Sequence, residues 1–464
     1  MKLKNLIIFT LFTSIVFANP VILEVKQKII SVNGKSVKVS TIEQPDGTWG
    51  YWGKLGESFD VIVRNKLAES TMIHWHGLIL PNNQDGVAGV TNSEINPGKE
   101  FHFNFPLQQS GSYWMHSHDG MQLQDMIAAP LIIETPEDAK YQQVVVMFQD
   151  YSSKSANQVL KGLQANNSDN MGHMNHDDMH GMKMDGMDMG DMDDMQDIND
   201  VKYDAYLTNY HDNLKPQITQ VKPGTSVKLR FINSASASNF WINLGKLKGT
   251  LVAVDGSPIK PIAGSKFQLA MGQRSDIIVD IPKVSADFPI LGQVEGIKSQ
   301  TGLMLTSKSK SSVQKLANNA NSAAPALNYN EELQLHSSDP IAFGKVDHTY
   351  KIKLTGDMNK YTWQMNGETW PNITPPKVNY GDTVTFEFDN QTMMSHPMHL
   401  HGYNFKVVSI NGKKIDGALR DTILVMPHSK VTVEFKADHK GKWMLHCHTL
   451  YHMHAGMMTY IDVE

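Results

Sequence analysis

Cys447 is the only cysteine in the chain, and it lies between His446 and His448. On an extended strand, successive side chains point to opposite faces, so the two imidazoles would face one way and the thiolate the other. A thiolate completed by His452 and a weak axial Met457 can hold a blue copper ion, while the flanking imidazoles bind a second copper centre behind it. The run therefore predicts two copper sites joined through the backbone of one strand. The alternative is a small buried thiol with incidental histidines.

Three further histidine clusters extend this ligand set. A single His-x-His pair would be weak evidence, since surface strands carry such pairs by accident. Here four pairs have i, i+2 spacing, which puts both members on one face of a strand, about 6.5 Å apart. Eight imidazoles from the two ends of the chain suit a cluster of three copper ions with positions left open for dioxygen. The additional clusters contain His74 and His76, His116 and His118, and His396, His399 and His401.

This arrangement resembles the multicopper oxidases (laccases, ascorbate oxidases and bacterial copper-tolerance oxidases) over nearly the whole mature chain. The resemblance implies four copper ions, namely one type 1, one type 2 and a type 3 pair. It also implies that single electrons from the substrate collect at the blue site and reduce dioxygen to water at the cluster. By position, His396, Cys447, His452 and Met457 would hold the type 1 ion, and His74 and His399 the type 2 ion. The type 3 ligands would be His76, His116, His118, His401, His446 and His448.

The same resemblance assigns catalytic roles to four residues. Cys447, His446 and His448 would carry electrons from the blue copper to the cluster. Asp85 matches the acidic residue that lies near the cluster in this family and would relay protons. The alternative for Asp85 is a turn former, since Asp-Gly is a turn dipeptide. Some bacterial members have a carboxylate directly after the second type 1 histidine, but Met453 stands there in this chain, which argues against a proton path through that position.

An internal repeat indicates three copies of one module. Residues 56–65, 224–233 and 381–390 each read as a turn glycine, an alternating strand and a closing asparagine. Together with the resemblance, the repeat predicts an all-β chain of three cupredoxin-like Greek-key β-sandwich domains. The first and third would carry the copper ligands, and the middle one, which lacks paired histidines, would have no copper centre. The expected domains are residues 19–141, 142–325 and 326–464.

A second repeat relates the two ends of the chain. Residues 111–118 parallel residues 441–448, and Ser117 occupies the place of Cys447. The first domain can therefore bind the cluster but cannot hold a blue copper, because it lacks the thiolate.

The segment at residues 171–195 contains nine methionines interleaved with aspartate, glycine and three histidines. No helical or strand period survives this composition, so the sequence predicts an exposed, mobile insertion of the middle domain at about residues 166–199. Thioether sulfur selects Cu(I) and aspartate attracts cations, as in the similar segments of bacterial copper-tolerance oxidases. The alternative is an acidic linker without function. Candidate ligands for substrate copper in this segment are Met179, Met182, Met184 and Met187.

Two more methionines stand just before a predicted type 1 ligand. Met394, two residues ahead of His396, resembles a methionine that holds substrate Cu(I) in the cuprous-oxidase branch, and Met393 adjoins it. The aspartate that those enzymes place two residues earlier is replaced by Thr392. Met393 and Met394 are thus further candidate ligands for substrate copper, with packing as the alternative for Met394.

Length and composition bound the class of protein. With 464 residues the chain has room for about three domains, and its net charge of −5 without a basic stripe argues against nucleic-acid binding. Residues 1–18 read as a Sec-type signal peptide, with Lys2 and Lys4 ahead of an apolar stretch and cleavage expected after Ala18. That stretch is too short for a comfortable membrane span, and no later segment is long enough for one. We therefore expect a periplasmic protein with no transmembrane segment in the mature chain.

These observations favour an exported oxidase that converts Cu(I) to Cu(II) while it reduces dioxygen to water, in copper tolerance. Its partners would be Cu(I) or small reducing substrates, and dioxygen. Two alternatives within the same family are a laccase-like oxidase of phenols or aromatic amines and a ferroxidase. A fourth hypothesis, a periplasmic copper-sequestering protein, does not require a cysteine between two cluster histidines.

Overall fold

The computed structural model of the chain describes residues 19–169, 198–311 and 314–464. The predicted signal peptide and the methionine-rich run at residues 171–195 lie outside the described residues, together with the candidate copper ligands in that run. Within the described part the strands form six sheets, two in each third of the chain, which confirms the predicted all-β class. No helix in these ranges has the length and apolar character needed to cross a membrane.

The N-terminal third contains eight strands. They are β1 (Val21–Val32), β2 (Lys35–Glu43), β3 (Tyr51–Lys54), β4 (Ser58–Asn65), β5 (Ile73–His76), β6 (Glu100–Pro106), β7 (Gly111–Ser117) and β8 (Ala128–Glu134). One sheet has the order β2-β1-β4-β6 and the other β3-β8-β7-β5. Two 3-10 helices lie at Asn82–Gln84 and Pro136–Lys140. Strands β5 and β7 pair antiparallel and bring two histidine clusters side by side.

The middle third contains eleven strands and one helix. They are β9 (Gln142–Tyr151), α1 (Ala156–Asp169), β10 (Ala205–Thr208), β11 (Ile218–Gln220), β12 (Ser226–Asn233), β13 (Phe240–Asn243), β14 (Gly249–Val254), β15 (Ser257–Gly264), β16 (Lys266–Leu269), β17 (Arg274–Asp280), β18 (Asp287–Val294) and β19 (Gln300–Thr306). The sheets have the orders β10-β9-β12-β17-β14-β15 and β11-β19-β18-β13-β16.

Helix α1 runs into the insertion that the sequence predicts at about residues 166–199. Ser155 and Gln158 form the start of the helix, because the Ser155 hydroxyl accepts the Gln158 N–H and the Gln158 amide oxygen accepts the Ser155 N–H. Ala156 and Val159 are buried in the core, and Leu160 packs against it. The insertion therefore begins on a helix that is fixed to the body of the protein.

The C-terminal third contains twelve strands and a short helix. They are β20 (His348–Asp357), β21 (Thr362–Met365), β22 (Lys377–Val378), β23 (Thr383–Asn390), β24 (His396–Leu400), β25 (Phe405–Ile410), β26 (Lys413–Lys414), β27 (Leu419–Arg420), β28 (Thr422–Val425), β29 (Lys430–Lys436), β30 (Gly441–Cys447), α2 (Leu450–His454) and β31 (Met458–Val463). One sheet has the order β21-β20-β23-β29-β25-β26, with β27 beside β25, and the other β22-β31-β30-β24-β28. A 3-10 helix, Glu332–Gln334, precedes them.

The three copies of the ten-residue repeat in the sequence correspond to equivalent strands. They fall on β4, β12 and β23, and each of these pairs parallel with the first strand of its own third. The closing asparagines Asn65, Asn233 and Asn390 are buried, and each side-chain amide donates to a backbone carbonyl of the following loop, four or five residues ahead. A buried amide needs such partners, so the asparagine fixes the loop that leaves each strand. In the C-terminal third that loop leads into His396.

The hydrophobic core joins the two ends of the chain. One cluster of buried residues includes Trp75 and Trp114 of the N-terminal third together with Trp363 and Trp443 of the C-terminal third. A separate cluster fills the middle third. Because the first and last thirds share one core, the histidine strands of both are held in contact.

Candidate metal centres

A cysteine and two histidines converge at the end of β30. Cys447 Sγ lies 3.7 Å from His396 Nδ1 and 3.7 Å from His452 Nδ1, and the two Nδ1 atoms are 3.1 Å apart. All three side chains are fully buried. Met457 is buried as well, and its backbone accepts the Cys447 N–H and donates to the His452 carbonyl, both at 3.0 Å. One thiolate, two imidazoles and a nearby thioether form the donor set of a blue copper site.

Eight further histidines meet between the N-terminal and C-terminal thirds. Within each third they face each other across paired strands, with His74 opposite His116 and His399 opposite His446. Between the thirds, the His74 and His401 rings stack at 3.7 Å, as do those of His76 and His399. The ligand atoms of three trios lie within 4.8 Å of one another: His74, His76 and His116; His74, His399 and His401; and His118, His401 and His446. His448 completes the group, with its ring 4.9 Å from that of His76.

The free ring nitrogens show what this cluster is built to hold. His74, His116 and His399 each donate Nδ1–H to a backbone carbonyl at 2.8–3.0 Å, which leaves a buried Nε2 without a hydrogen-bond partner in the described part of the chain. His76 has the opposite arrangement, because its Nε2 meets Asp421 and its Nδ1 is unpartnered. Buried polar atoms are rarely left alone, and a carbonyl on one ring nitrogen presents the other to a metal. The donor set therefore fits bound copper ions.

Burial sets the protonation of the cluster. Loss of hydration, together with repulsion from neighbouring histidines, holds the pKa of six of the cluster imidazoles well below its usual value. The neutral imidazole is the form that binds metal, so the site is ready to accept copper without competition from protons. The affected residues are His76, His116, His118, His401, His446 and His448.

Asp85 lies between two of the cluster histidines. Its side chain is fully buried, and Oδ2 accepts a hydrogen bond from His401 Nδ1 at 2.9 Å. Its backbone carbonyl accepts the His74 Nδ1–H at 2.8 Å. Asp85 thus orients one histidine from each third, as expected for an acidic residue in contact with the ligands.

The middle third reaches the cluster through Arg274 at the start of β17. Its guanidinium pairs with both carboxylate oxygens of Asp421, at 2.8 and 2.5 Å, and Asp421 Oδ1 accepts from His76 Nε2 at 3.1 Å. Burial opposes ionisation of Asp421, yet the ion pair with Arg274 holds the pKa of this carboxyl well below its usual value. A Cβ added to Gly272 would lie 3.0 Å from His448. Neither Arg274 nor Asp421 is among the residues predicted from the sequence, because no ligand motif marks them.

Asp200 is a third residue that no motif marks. It lies just beyond the methionine-rich run, and its Oδ2 accepts a hydrogen bond from His452 Nε2 at 2.9 Å and another from the Tyr361 hydroxyl. Burial favours the neutral imidazole, but contacts with Asp200 and Cys447 raise the pKa of His452 to about 9. A carboxylate therefore lies directly against a ligand of the candidate blue site.

The methionines predicted to bind substrate copper occupy different environments. Met394 is buried, whereas Met393 is 39% exposed. The Thr392 hydroxyl, which stands where a carboxylate is expected, lies 2.8 Å from His396 Nε2. Met179, Met182, Met184 and Met187 lie outside the described residues.

Comparison with known proteins agrees with this site. Sequence models of the multicopper oxidase family match residues 22–138, 142–310 and 346–464. Multicopper oxidase MmcO of Mycobacterium tuberculosis is 30% identical over 417 residues, covering 88% of this chain and 80% of the relative. Copper resistance protein A of Escherichia coli is 26% identical, covering 89% of this chain and 87% of the relative. The laccase structure from Botrytis aclada has a TM-score of 0.77 at 22% identity, over 95% of this chain and 87% of that one, which shows a shared cupredoxin-type fold.

Membership of this family implies four copper ions, in agreement with the clustered histidines and the single cysteine. The predicted resemblance is confirmed, because the family models together span most of the chain. The chain belongs to the multicopper oxidase family, in its bacterial copper-tolerance branch, and is a copper-containing oxidoreductase.

Proposed function

We propose that this chain is an exported, periplasmic enzyme that oxidises Cu(I) to Cu(II) and reduces dioxygen to water in copper tolerance. The observation that carries the proposal is the position of Asp200. This carboxylate directly follows the methionine-rich insertion, and it accepts a hydrogen bond from His452, a proposed ligand of the blue copper. One buried residue thus connects a segment suited to Cu(I) with the site that would receive its electron.

The ligand roles are those that the resemblance to the family implies, and the clustering of the donors at two centres supports them. When bound, the copper ions would supply the redox chemistry, collecting single electrons and passing four of them to dioxygen. His396, Cys447 and His452 would hold the type 1 ion together with Met457. His74 and His399 would hold the type 2 ion. The type 3 pair would be held by His76, His116, His118, His401, His446 and His448.

The chain's own residues would connect the centres and supply protons. Cys447 faces the blue site while its neighbours His446 and His448 face the cluster, so one stretch of backbone would link the two. Asp85 Oδ1 accepts no hydrogen bond within the described part of the chain and lies 3.3 Å from His74 Nδ1, while Oδ2 contacts His401, so the carboxyl group could hold a proton between these two histidines. Asp85 would therefore serve as the proton relay.

The end of the insertion is anchored next to the blue site. The Asn199 side-chain amide donates to the Glu295 carbonyl at 3.0 Å, and Asp200 follows it. Cu(I) held by the insertion would consequently be at high local concentration near His452, since a short tether limits how far it can move away. Met393 and Met394, just ahead of His396, would add soft ligands on the same site.

Replacing residues 171–195 by a glycine-serine stretch of equal length tests this proposal while keeping Asn199 and Asp200. We expect kcat/KM for Cu(I) to fall by about tenfold or more, because the local concentration of Cu(I) is lost. Turnover of a small organic reductant should stay the same. The matched control changes only the aspartates of the segment to asparagine, which retains the thioethers. Unchanged Cu(I) kinetics in the glycine-serine variant would contradict the proposal.

A ferroxidase is the second candidate, and one observation favours it. Ferrous iron prefers carboxylate to thioether ligands, and Asp200 and Tyr361 supply oxygen atoms at His452. The glycine-serine variant separates the two functions. If iron is the substrate, the variant should oxidise Fe(II) at the wild-type rate. Its kcat/KM for Cu(I) should then fall no more than its kcat/KM for organic reductants.

A copper store would behave differently from either oxidase. The variant Cys447→Ser should lose the blue colour and the oxidase activity, since the thiolate is the defining type 1 ligand. Copper binding by the methionine-rich segment should persist in it. Copper tolerance of cells that survives this change would favour sequestration over catalysis.

A further inference from the structure

A cavity of about 280 Å³ lies where the N-terminal and C-terminal thirds meet, and Asp200 is not among its lining residues. Its lining residues include Met444, Met453, Met458 and His454. None of these four residues belongs to the copper ligands proposed above. Methionine usually fills gaps in a core, as the fully buried Met444 does, but Met453 and Met458 stay half-buried beside this cavity.

Strand register explains why the methionines converge. Met458 on β31 is directly opposite His446 on β30, and residues opposite each other across a strand pair share a face. Met444 lies two residues before His446 and therefore points to the same face. Helix α2 ends at His454 and adds Met453 from a third element. The thioethers thus gather beside a proposed type 3 ligand as a consequence of pairing and not of sequence proximity.

The chemistry of the lining suits a soft monovalent cation. Thioethers and imidazole are the ligands that select Cu(I) over harder ions. Glu94 and Asp119 also line the cavity, and their carboxylates attract cations. Among the described lining residues there is no lysine or arginine to oppose them.

The cavity reaches the edge of the cluster at His118. This residue lines the cavity, and it is the only one of the eight described cluster histidines that is half-buried instead of buried. Its Nε2 is itself buried and has no hydrogen-bond partner in the described part of the chain, and the residue belongs to the trio with His401 and His446. A cation in the cavity would therefore reach the type 3 position at His118 once a movement of this side chain exposes Nε2.

We propose that this cavity is a Cu(I)-binding site through which copper is loaded into the type 3 position of the cluster. Copper would pass as Cu(I) from the thioethers of Met453 and Met458 to His118, with no change of oxidation state in the transfer. The proposal rests on the assigned ligand role of His118, but it does not depend on which reductant the enzyme oxidises.

The first test uses the copper-loaded full-length protein and Ag(I), a redox-inert analogue of Cu(I). Wild type is compared with Met453→Leu/Met458→Leu, which keeps the volume but removes two thioethers. The double variant should bind one Ag(I) fewer by calorimetric titration, since the methionine-rich segment is present in both proteins. The control pair Met304→Leu/Met426→Leu changes two methionines outside the cavity and should bind as wild type does.

The second test measures loading itself and not turnover. Copper-free full-length protein receives Cu(I) without oxygen, and recovery of the type 3 absorption is then followed on aeration after different loading times. Loading should be about tenfold slower in the cavity variant, because removed ligands weaken metal capture by at least that factor. An intact blue band in each variant checks that the protein has folded. If the double variant does not fold, Met453→Leu alone takes its place. The proposal would be overturned if the double variant bound as many Ag(I) ions as wild type does. It would also be overturned if the variant bound fewer Ag(I) ions but loaded copper at the wild-type rate.

Discussion

Removal of the Asp200 carboxylate is the sharpest perturbation of the proposed route from substrate to blue copper. The side chain is 3% exposed, and its Oδ2 accepts the His452 Nε2–H at 2.9 Å. A buried hydrogen bond to a charged group contributes about 1.5–3 kcal/mol. If this interaction acts in the step that oxidises Cu(I), its loss corresponds to a fall of about 10- to 100-fold in kcat/KM.

We expect kcat/KM for Cu(I) to be lower in Asp200→Ala than in Asp200→Asn, because asparagine keeps a hydrogen-bond acceptor without the charge. Both variants should have a lower kcat/KM than wild type. Initial rates of Cu(I) oxidation measure it, with the blue absorption as the check that the type 1 site has formed. Asp60→Asn is the matched control, since Asp60 pairs with the exposed His102 on the surface. Wild-type kcat/KM for Cu(I) in Asp200→Ala, with the blue band intact, would refute the role of Asp200.

Three further changes test other parts of the site. Asp85→Asn should lower kcat about 100-fold and leave the blue band unchanged, because a proton relay contributes about 10²–10⁴ in rate; an unchanged kcat under oxygen saturation would contradict the relay. Arg274→Gln should destabilise the fold by about 3–5 kcal/mol, because Asp421 is left buried and unpaired; chemical denaturation measures this, and partial rescue by Arg274→Lys is expected. Gly272→Ala should lower the type 3 copper content while the type 1 copper stays, because φ is +79° and the added Cβ meets His448 and His76; full copper occupancy by metal analysis would contradict this.

The sequence predicted those parts of the site that local spacing determines. His-x-His pairs on strands must share a face, so the grouping of eight imidazoles follows from the spacing together with the position of the pairs at the two ends of the chain. The same alternation explains why Cys447 points to one face of the strand while His446 and His448 point to the other. The three-fold repeat likewise predicted equivalent strands, now seen as β4, β12 and β23.

Contacts between distant segments could not be read in this way. Asp200 meets His452 across 252 positions, and Arg274 meets Asp421 across 147 positions, with no motif at either residue. The gathering of Met444 and Met458 depends on the register of β30 with β31, which the sequence leaves open. Helix α1 could have been found, since Ser155 and Gln158 form a capping pair ahead of apolar positions at helical spacing.

The central claim is that electrons from Cu(I) reduce dioxygen fully to water in this protein. Oxygen uptake by the copper-loaded enzyme, measured together with the Cu(I) consumed and any peroxide formed, tests it most directly. We expect four Cu(I) oxidised for each dioxygen, no peroxide, and faster turnover of Cu(I) than of a phenol unless Cu(II) is added. Cu(I) would not be the substrate if the enzyme oxidised phenol fast without added copper and oxidised Cu(I) no faster than the Cys447→Ser variant does.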